Sequence, residues 1–294
     1  MRPFRMFAMT AAACVTLAGA ARGQQAVEMD RTVDVQPGMR LQLDNQFGDV
    51  TIRTWDRSAV RVQGHHPIGT TVEIQPGGSL LQIEADRPGH PGNPIAYILT
   101  VPAEMAIEVE VVQGDVDVAG TRAGMDIQSV HGNITVVGGA DVLALESVQG
   151  KVTVTGARGR VNAASVNQGV ELTDIRGDVQ AEAVNGRILL RGIDAGRVTA
   201  ETVNGSVSYE GSIRNDGWYR FSTHNGSIDL TIPANVGATF TASTFNGTLQ
   251  TAFPVTLHEA KEGKEFTFTL GSGGARIEME SFNGTMSIRR PGQP

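Results

Sequence analysis

Four stretches of the sequence carry side chains whose types could do chemistry. The loops "GHHPIG" and "GHPGNP" hold His65, His66 and His90, and imidazole is the commonest metal-binding side chain. Their intervals are not those of a metal site, so solvated loop histidines are expected. Asp115 and Asp117 alternate along one short segment and would face solvent together, as a paired-carboxylate hydrolase or a lyase requires. Eighteen residues on, the same places hold Asn133 and Thr135, so the acidic pair does not continue. "GSGGAR", Gly271–Arg276, loosely echoes a phosphate loop. It leads into the strand-like "RIEMES", and a phosphate loop needs a helix N-terminus to supply its amide donors. No nucleophile stands beside a base. The expectation is a protein that is not an enzyme, with no metal and no cofactor.

Another pattern recurs far more often. "ETVNGSVSYEG", "STHNGSIDL", "STFNGTLQT" and "ESFNGTMSI" each place Asn-Gly before a polar residue and after an apolar one, or after His224 in the second. Together with "AVNGRILL" they single out Asn185–Gly186, Asn204–Gly205, Asn225–Gly226, Asn246–Gly247 and Asn283–Gly284. Several also satisfy the short Asn-x-Ser/Thr pattern of a glycan acceptor, which Asn-Gly turns followed by polar residues produce as a by-product. The glycines of the extended motif are Gly114, Gly132, Gly150, Gly186, Gly205, Gly226, Gly247 and Gly284. The first two steps are of eighteen residues, and the step from Gly150 to Gly186 is twice that. Gln168 fills the skipped place, with the glycine moved on to Gly169. The last step, of 37 residues, reads as two coils with one motif lost.

Such fixed-period self-similarity belongs to coil-stacking folds. Apolar residues stand two before the glycine (Val112, Val130, Val184, Val203, Phe245, Phe282) and two after it (Val116, Ile134, Val152, Ile188, Val207). This is strand alternation with one face buried. The glycine is expected to turn the corner by adopting positive φ, which Asn also tolerates. Stacked coils would place the asparagines in an amide row, and Ser129, Ser147, Ser165, Thr202, Thr223, Thr244 and Ser281 in a parallel hydroxyl row. "TLHEAKEGKEF" could form one turn of helix. A left-handed hexapeptide helix is excluded, because its third face would carry Gly124, Val142, Arg160 and Asp178. The expected fold is an all-β, single-domain parallel β-solenoid of about 18-residue coils, with clear repeats over 106–252 and a last coil over 275–290.

The first residues are different. Arg2 and Arg5 precede an apolar run from Phe7 to about Ala18, followed by small residues up to Gly23. This is the pattern of a secretory signal peptide, residues 1–23, ahead of one domain over 24–294. The run is shorter than the ~20 residues of a membrane span. Cys14, the single cysteine, would leave with the signal, which excludes a disulfide or a cysteine nucleophile from the mature chain. Loss of Arg2, Arg5 and Arg22 would make the mature chain more acidic than the −7 of the whole sequence. That surface disfavours nucleic acid and anionic lipid as partners.

"VDVQPGMRLQLDNQFGDVTIRTWDRSAVRV", "LTVPAEMAIEVEVVQGDVDV" and "LGSGGARIEMESFNGTMSI" resemble the entry, central and closing segments of the bacterial putative-adhesin family of β-strand-repeat proteins. The resemblance covers roughly Val33 to Ile288. It implies a right-handed β-solenoid at the bacterial surface or in the envelope, a domain of unknown function without catalytic residues, and in some members a link to envelope stress. Three functions follow in order: an extracytoplasmic adhesin or binding scaffold, a structural or regulatory envelope-stress protein acting through a membrane partner, and last a carbohydrate-active enzyme. The partner expected is an envelope protein or a surface glycan, met in the periplasm, at the cell surface or after secretion. Trp218 and Tyr219 lie in a longer coil, "IRNDGWYRFS", and either anchor such an interface or cap a coil edge. The exported form should begin between Ala21 and Gln25 on N-terminal sequencing. A mature chain starting at a lipidated Cys14 would overturn this.

Overall fold

The computed structural model describes residues 26–86, 94–255, 258–259 and 264–292. The expected signal segment with Cys14, and also His90, lie outside the described residues. Within them there are 25 strands and no helix, and all 25 belong to one sheet. "TLHEAKEGKEF" contributes strand residues at His258–Glu259 and from Lys264 onward, not the expected turn of helix. The remainder of that stretch is outside the described residues. Among the described residues no helix is long and apolar enough to cross a membrane.

The sheet is organised as two ladders. Arg40–Phe47, Ala106–Gln113, Met125–His131, Val142–Ser147, Arg160–Ser165, Val179–Ala183, Arg197–Asn204 and Trp218–Asn225 pair in parallel to make the first. Val50–Trp55, Val116–Ala119, Ile134–Val137, Lys151–Thr155, Gly169–Thr173, Arg187–Ile193, Val207–Gly211 and Ile228–Thr231 make the second. One strand of each, joined at the glycine corner, forms a rung. The register steps by eighteen residues where Met125 meets Leu143 and Leu143 meets Val161. Period-2 burial follows along each strand: Met125, Ile127 and Ser129 point inward, then Ile134 and Val136. These residues from both ladders form one continuous apolar core.

The expected all-parallel solenoid is corrected by the pairing at both ends, where the sheet is mixed. Ala59–Pro67 pairs antiparallel with both Ala26–Asp34 and Ala96–Pro102, and Thr71–Gly77 pairs antiparallel with Leu80–Asp86. At the other end, Lys264–Leu270 lies antiparallel to Ala238–Thr251 and to His258–Glu259. The rungs also leave chain order. Ala275–Arg289 runs through both ladders and sits between Trp218–Asn225 on one side and Ala238–Thr251 on the other. At the opposite end, Arg40–Phe47 lies between Leu80–Asp86 and Ala106–Gln113. The 37-residue step is therefore no lost motif. It contains a hairpin return that covers the outermost rung, and the chain then comes back inside it. The physical reason is the open edge: a parallel ladder ends in a row of unpaired N–H and C=O groups, and an antiparallel return pairs them.

Rung register makes one deletion benign and another disruptive. Removing Gly132 through Gln149 joins equivalent points of two rungs, and each rung meets mainly its neighbours. That variant should keep its β circular dichroism and melt cooperatively. Removing only Gly132 through Ala140 joins unlike halves and should unfold the chain. Equal behaviour of the two would overturn the rung assignment.

Candidate functional site

Asn-Gly corners line up along one edge of the stack. A Cβ on Gly132 would overlap the carbonyl oxygen of Gly114, one on Gly150 that of Gly132, one on Gly226 that of Gly205, and one on Gly284 that of Gly226. Gly186, Gly205 and Gly247 are equally confined by the backbone of the neighbouring rung. Of these seven, only Gly284 has a positive φ. The expected left-handed turn is thus not what demands glycine at most corners. Close approach of two backbones at strand spacing is the cause, and it excludes any side chain.

Beside the glycines run the two polar rows. Asn185 donates to Asn167 at 3.4 Å, Asn204 to Asn185 at 3.0 Å, Asn225 to Asn204 at 2.9 Å and Asn283 to Asn225 at 3.0 Å. Asn246 follows in register beyond Asn283. On the inner side, Ser147 Oγ donates to Gly132 O and accepts from Gly150 N, both at 2.8 Å. Ser165, Thr202, Thr223 and Ser281 make the same bond to the carbonyl of a glycine one rung away. Each of these five hydroxyls thus satisfies a backbone carbonyl at the corner, whereas Ser129 and Thr244 of the same row are buried without making this bond.

The two aromatic candidates have different environments. Tyr219 is fully buried (0 %); its hydroxyl donates to Ala195 O at 2.7 Å and accepts from Arg214 N at 2.9 Å. Its ring packs against Tyr209 at 6.1 Å, edge to face. Tyr219 therefore cannot anchor a partner, and the larger coil around it exists to house two tyrosines in the core. Burial pushes both phenols above their ordinary pKa, so they stay neutral hydrogen-bonding groups. Trp218 is half-buried at the rim under the guanidinium of Arg197, 5.2 Å from the ring centre. The pair is not brought together at one surface.

Elsewhere the suspected catalytic groups are tied to partners. Asp117 binds Arg53 at 2.6 Å, and Asp115 accepts from Asn133 N at 2.7 Å. His65 is exposed and His66 contacts the Pro67 carbonyl. Among the described residues no cluster of three His, Cys, Asp or Glu side chains could hold a metal ion.

A further surface lies where strand alternation predicts core. The residues two before each glycine are not inward-facing. Phe245 is 66 % exposed, Val203 44 %, Phe282 42 % and Val184 41 %. Inward positions are those three, five and seven before the glycine, such as Ser129, Ile127 and Met125. The corner breaks the alternation, so period 2 does not carry across it and the face is reversed. The buried Ser/Thr row was the signal that could have corrected the phase, because its immediate neighbours must point outward.

These outward residues form one wall of a groove of 790 Å³ along the first ladder. Val166, Val184 and Val203 continue into His224, Phe282 and Phe245, whose rings stack at 4.7 and 4.9 Å. Glu146, Glu182, Glu201, Glu265 and Glu280 line the groove beside them, with Lys264 at its end. Arg220 binds Glu201 at 3.1 Å and Glu280 at 3.4 Å. The arrangement offers an apolar strip flanked by carboxylates.

No protein-family model matches the chain, and no curated protein matches it. Among solved structures, a putative adhesin from Bacteroides fragilis aligns at 14 % identity over 91 % of this chain and 98 % of its own, with a TM-score of 0.40. A putative adhesin from Parabacteroides distasonis aligns at 7 % identity over 90 % and 98 %, with a TM-score of 0.41. A putative lipid binding protein from the same organism aligns at 9 % identity over 90 % and 96 %, with a TM-score of 0.27.

The corner geometry ranks substitutions. Gly205→Ala places a methyl group against the Gly186 backbone and should cost several kcal/mol, the range of core overpacking at about 1–3 kcal/mol or more. Asn204→Ala loses two exposed amide bonds at about 1 kcal/mol in total. Denaturant titration of both variants checks the order. An equal or reversed cost would mean that the amide row, not backbone approach, sets the corner.

Proposed function

We propose that the chain is a non-catalytic binding protein of the bacterial cell envelope, exported by its N-terminal signal, which holds its partner in the groove along the first ladder. The observation that carries this reading is the exposed apolar strip from Val166 to Phe245. A continuous exposed apolar surface bordered by polar groups is costly to leave in water and marks interaction sites. The Asn-Gly repeats then serve as scaffold: their amides bond to one another along the stack and fix the register that aligns the strip. Adhesion is one use of such a surface, in keeping with the family resemblance.

Site-specific photocrosslinking tests the proposal. A photoreactive side chain at Val203, in the groove, should give discrete adducts with envelope material. The same group at Val137, which is half exposed on the second ladder, should give none. Adducts from Val137 matching those of Val203, or none from Val203, would sink the reading.

A further inference from the structure

Resting on that reading of the groove, we infer that its ligand is an extended cationic polypeptide segment in which apolar and basic side chains alternate. The argument starts from charge. On the second ladder, three outward carboxylates carry their own cations: Asp117 has Arg53, Glu171 has Lys151, and Asp229 has Arg289, while Glu210 stands alone among the described residues. Along the first ladder compensation is incomplete: among the described residues Arg40 pairs with Glu108, and Arg220 with Glu201, Glu278 and Glu280. Asp44, Glu110, Glu146, Glu182, Glu201 and Glu280 occupy one column, four residues before the corner glycine. Arg220 serves Glu201 and Glu280. Glu146 and Glu182 have no ion pair among the described residues; Glu182 has only a bond from Gln180. Uncompensated carboxylates in a row set up a negative potential that attracts a polycation.

Geometry adds the alternation. The acidic column and the apolar strip lie two residues apart on the same strands, so both face outward, one beside the other. An extended chain laid along the stack directs successive side chains to opposite sides. One row would then cover the strip while the other meets the carboxylates. The strip runs over nine rungs, from Val112 through Val130, Val148 and Val166 to Phe245. Eight spacings of ~4.8 Å give about 38 Å, the reach of about twelve extended residues at ~3.3 Å each. His224, Phe282 and Phe245 stack face to face and so offer ring edges to a ligand. Ring edges suit aliphatic side chains better than sugar faces, which pack on open aromatic planes.

The test uses the exported chain and three twelve-residue peptides, alternating Lys/Leu, Glu/Leu and Lys/Ser, with maltohexaose as a neutral sugar. Fluorescence anisotropy should show the Lys/Leu peptide binding at least tenfold more tightly than the others, with affinity falling as salt rises. The double variant Glu146→Gln, Glu182→Gln should lose at least tenfold, whereas Glu210→Gln on the second ladder should change affinity less than twofold. Melting curves establish that each variant is folded, and Val203→Ser stands in if a phenylalanine variant is not. Two results overturn the cationic ligand: Glu/Leu or maltohexaose binding as tightly as Lys/Leu, or Glu210→Gln weakening binding as much as the groove pair. If Glu/Leu binds equally and Phe245→Ser with Phe282→Ser abolishes both, the groove stands and its charge preference falls. If those phenylalanine changes leave every affinity unaltered, the groove itself is not the site.

Discussion

The structure depends on how closely two rungs approach at the corner. At Gly132, Gly150, Gly205, Gly226 and Gly284 the neighbouring carbonyl occupies the space a Cβ would need. With that contact the chain passes from one ladder to the other at a single residue and keeps both at strand spacing. The hydroxyl and amide rows follow from it. Ser147 reaches the Gly132 carbonyl because the corner brings that oxygen over the core edge. Asn204 and Asn225 stack because their backbones are held one rung apart. Gln168–Gly169 shows how the scheme tolerates a slip: the glycine moves one place, adopts a φ of 129°, and Ser165 Oγ takes amide bonds from both residues.

Parallel stacking solves the interior and leaves the ends open. Both ends are closed by leaving chain order: a rung is laid down outside, and another is placed between it and the stack. Antiparallel strands then cover the outer backbone. The outer rung Ala238–Thr251 gains its inner neighbour only when Ala275–Arg289 is in place, so the last residues of the repeat tie down those before them. Edge pairing of this kind limits the association to which bare strand edges are prone.

The groove is a by-product of the same corner. Because the buried Ser/Thr residue must face inward, the residue after it must face outward, and one outward apolar side chain per rung becomes a continuous strip. The neighbouring column holds Glu146, Glu182, Glu201 and Glu280, of which the last two pair with Arg220. Tyr209 and Tyr219, with hydroxyls bonded to Ser212 O and Ala195 O, enlarge the core next to this strip, where the valine wall gives way to His224, Phe282 and Phe245.

Sequence periodicity alone determined that the chain is all-β, that residues eighteen apart are equivalent, and where hydroxyl and amide rows would run, because side-chain period and repeat length are local properties. The residues Val112, Val184 and Phe282 were legible as repeated apolar positions, but not their exposure, since the corner resets the alternation and nothing local reports that reset. Tyr219 stood open between an interface anchor and a coil-edge cap, because its burial depends on Ala195 from the preceding rung as well as on the nearby Arg214. The mixed sheet and exchanged rungs were decided only by tertiary structure. Edge satisfaction is a property of the whole ladder, and the strand that closes it, Lys264–Leu270, carries no copy of the repeat.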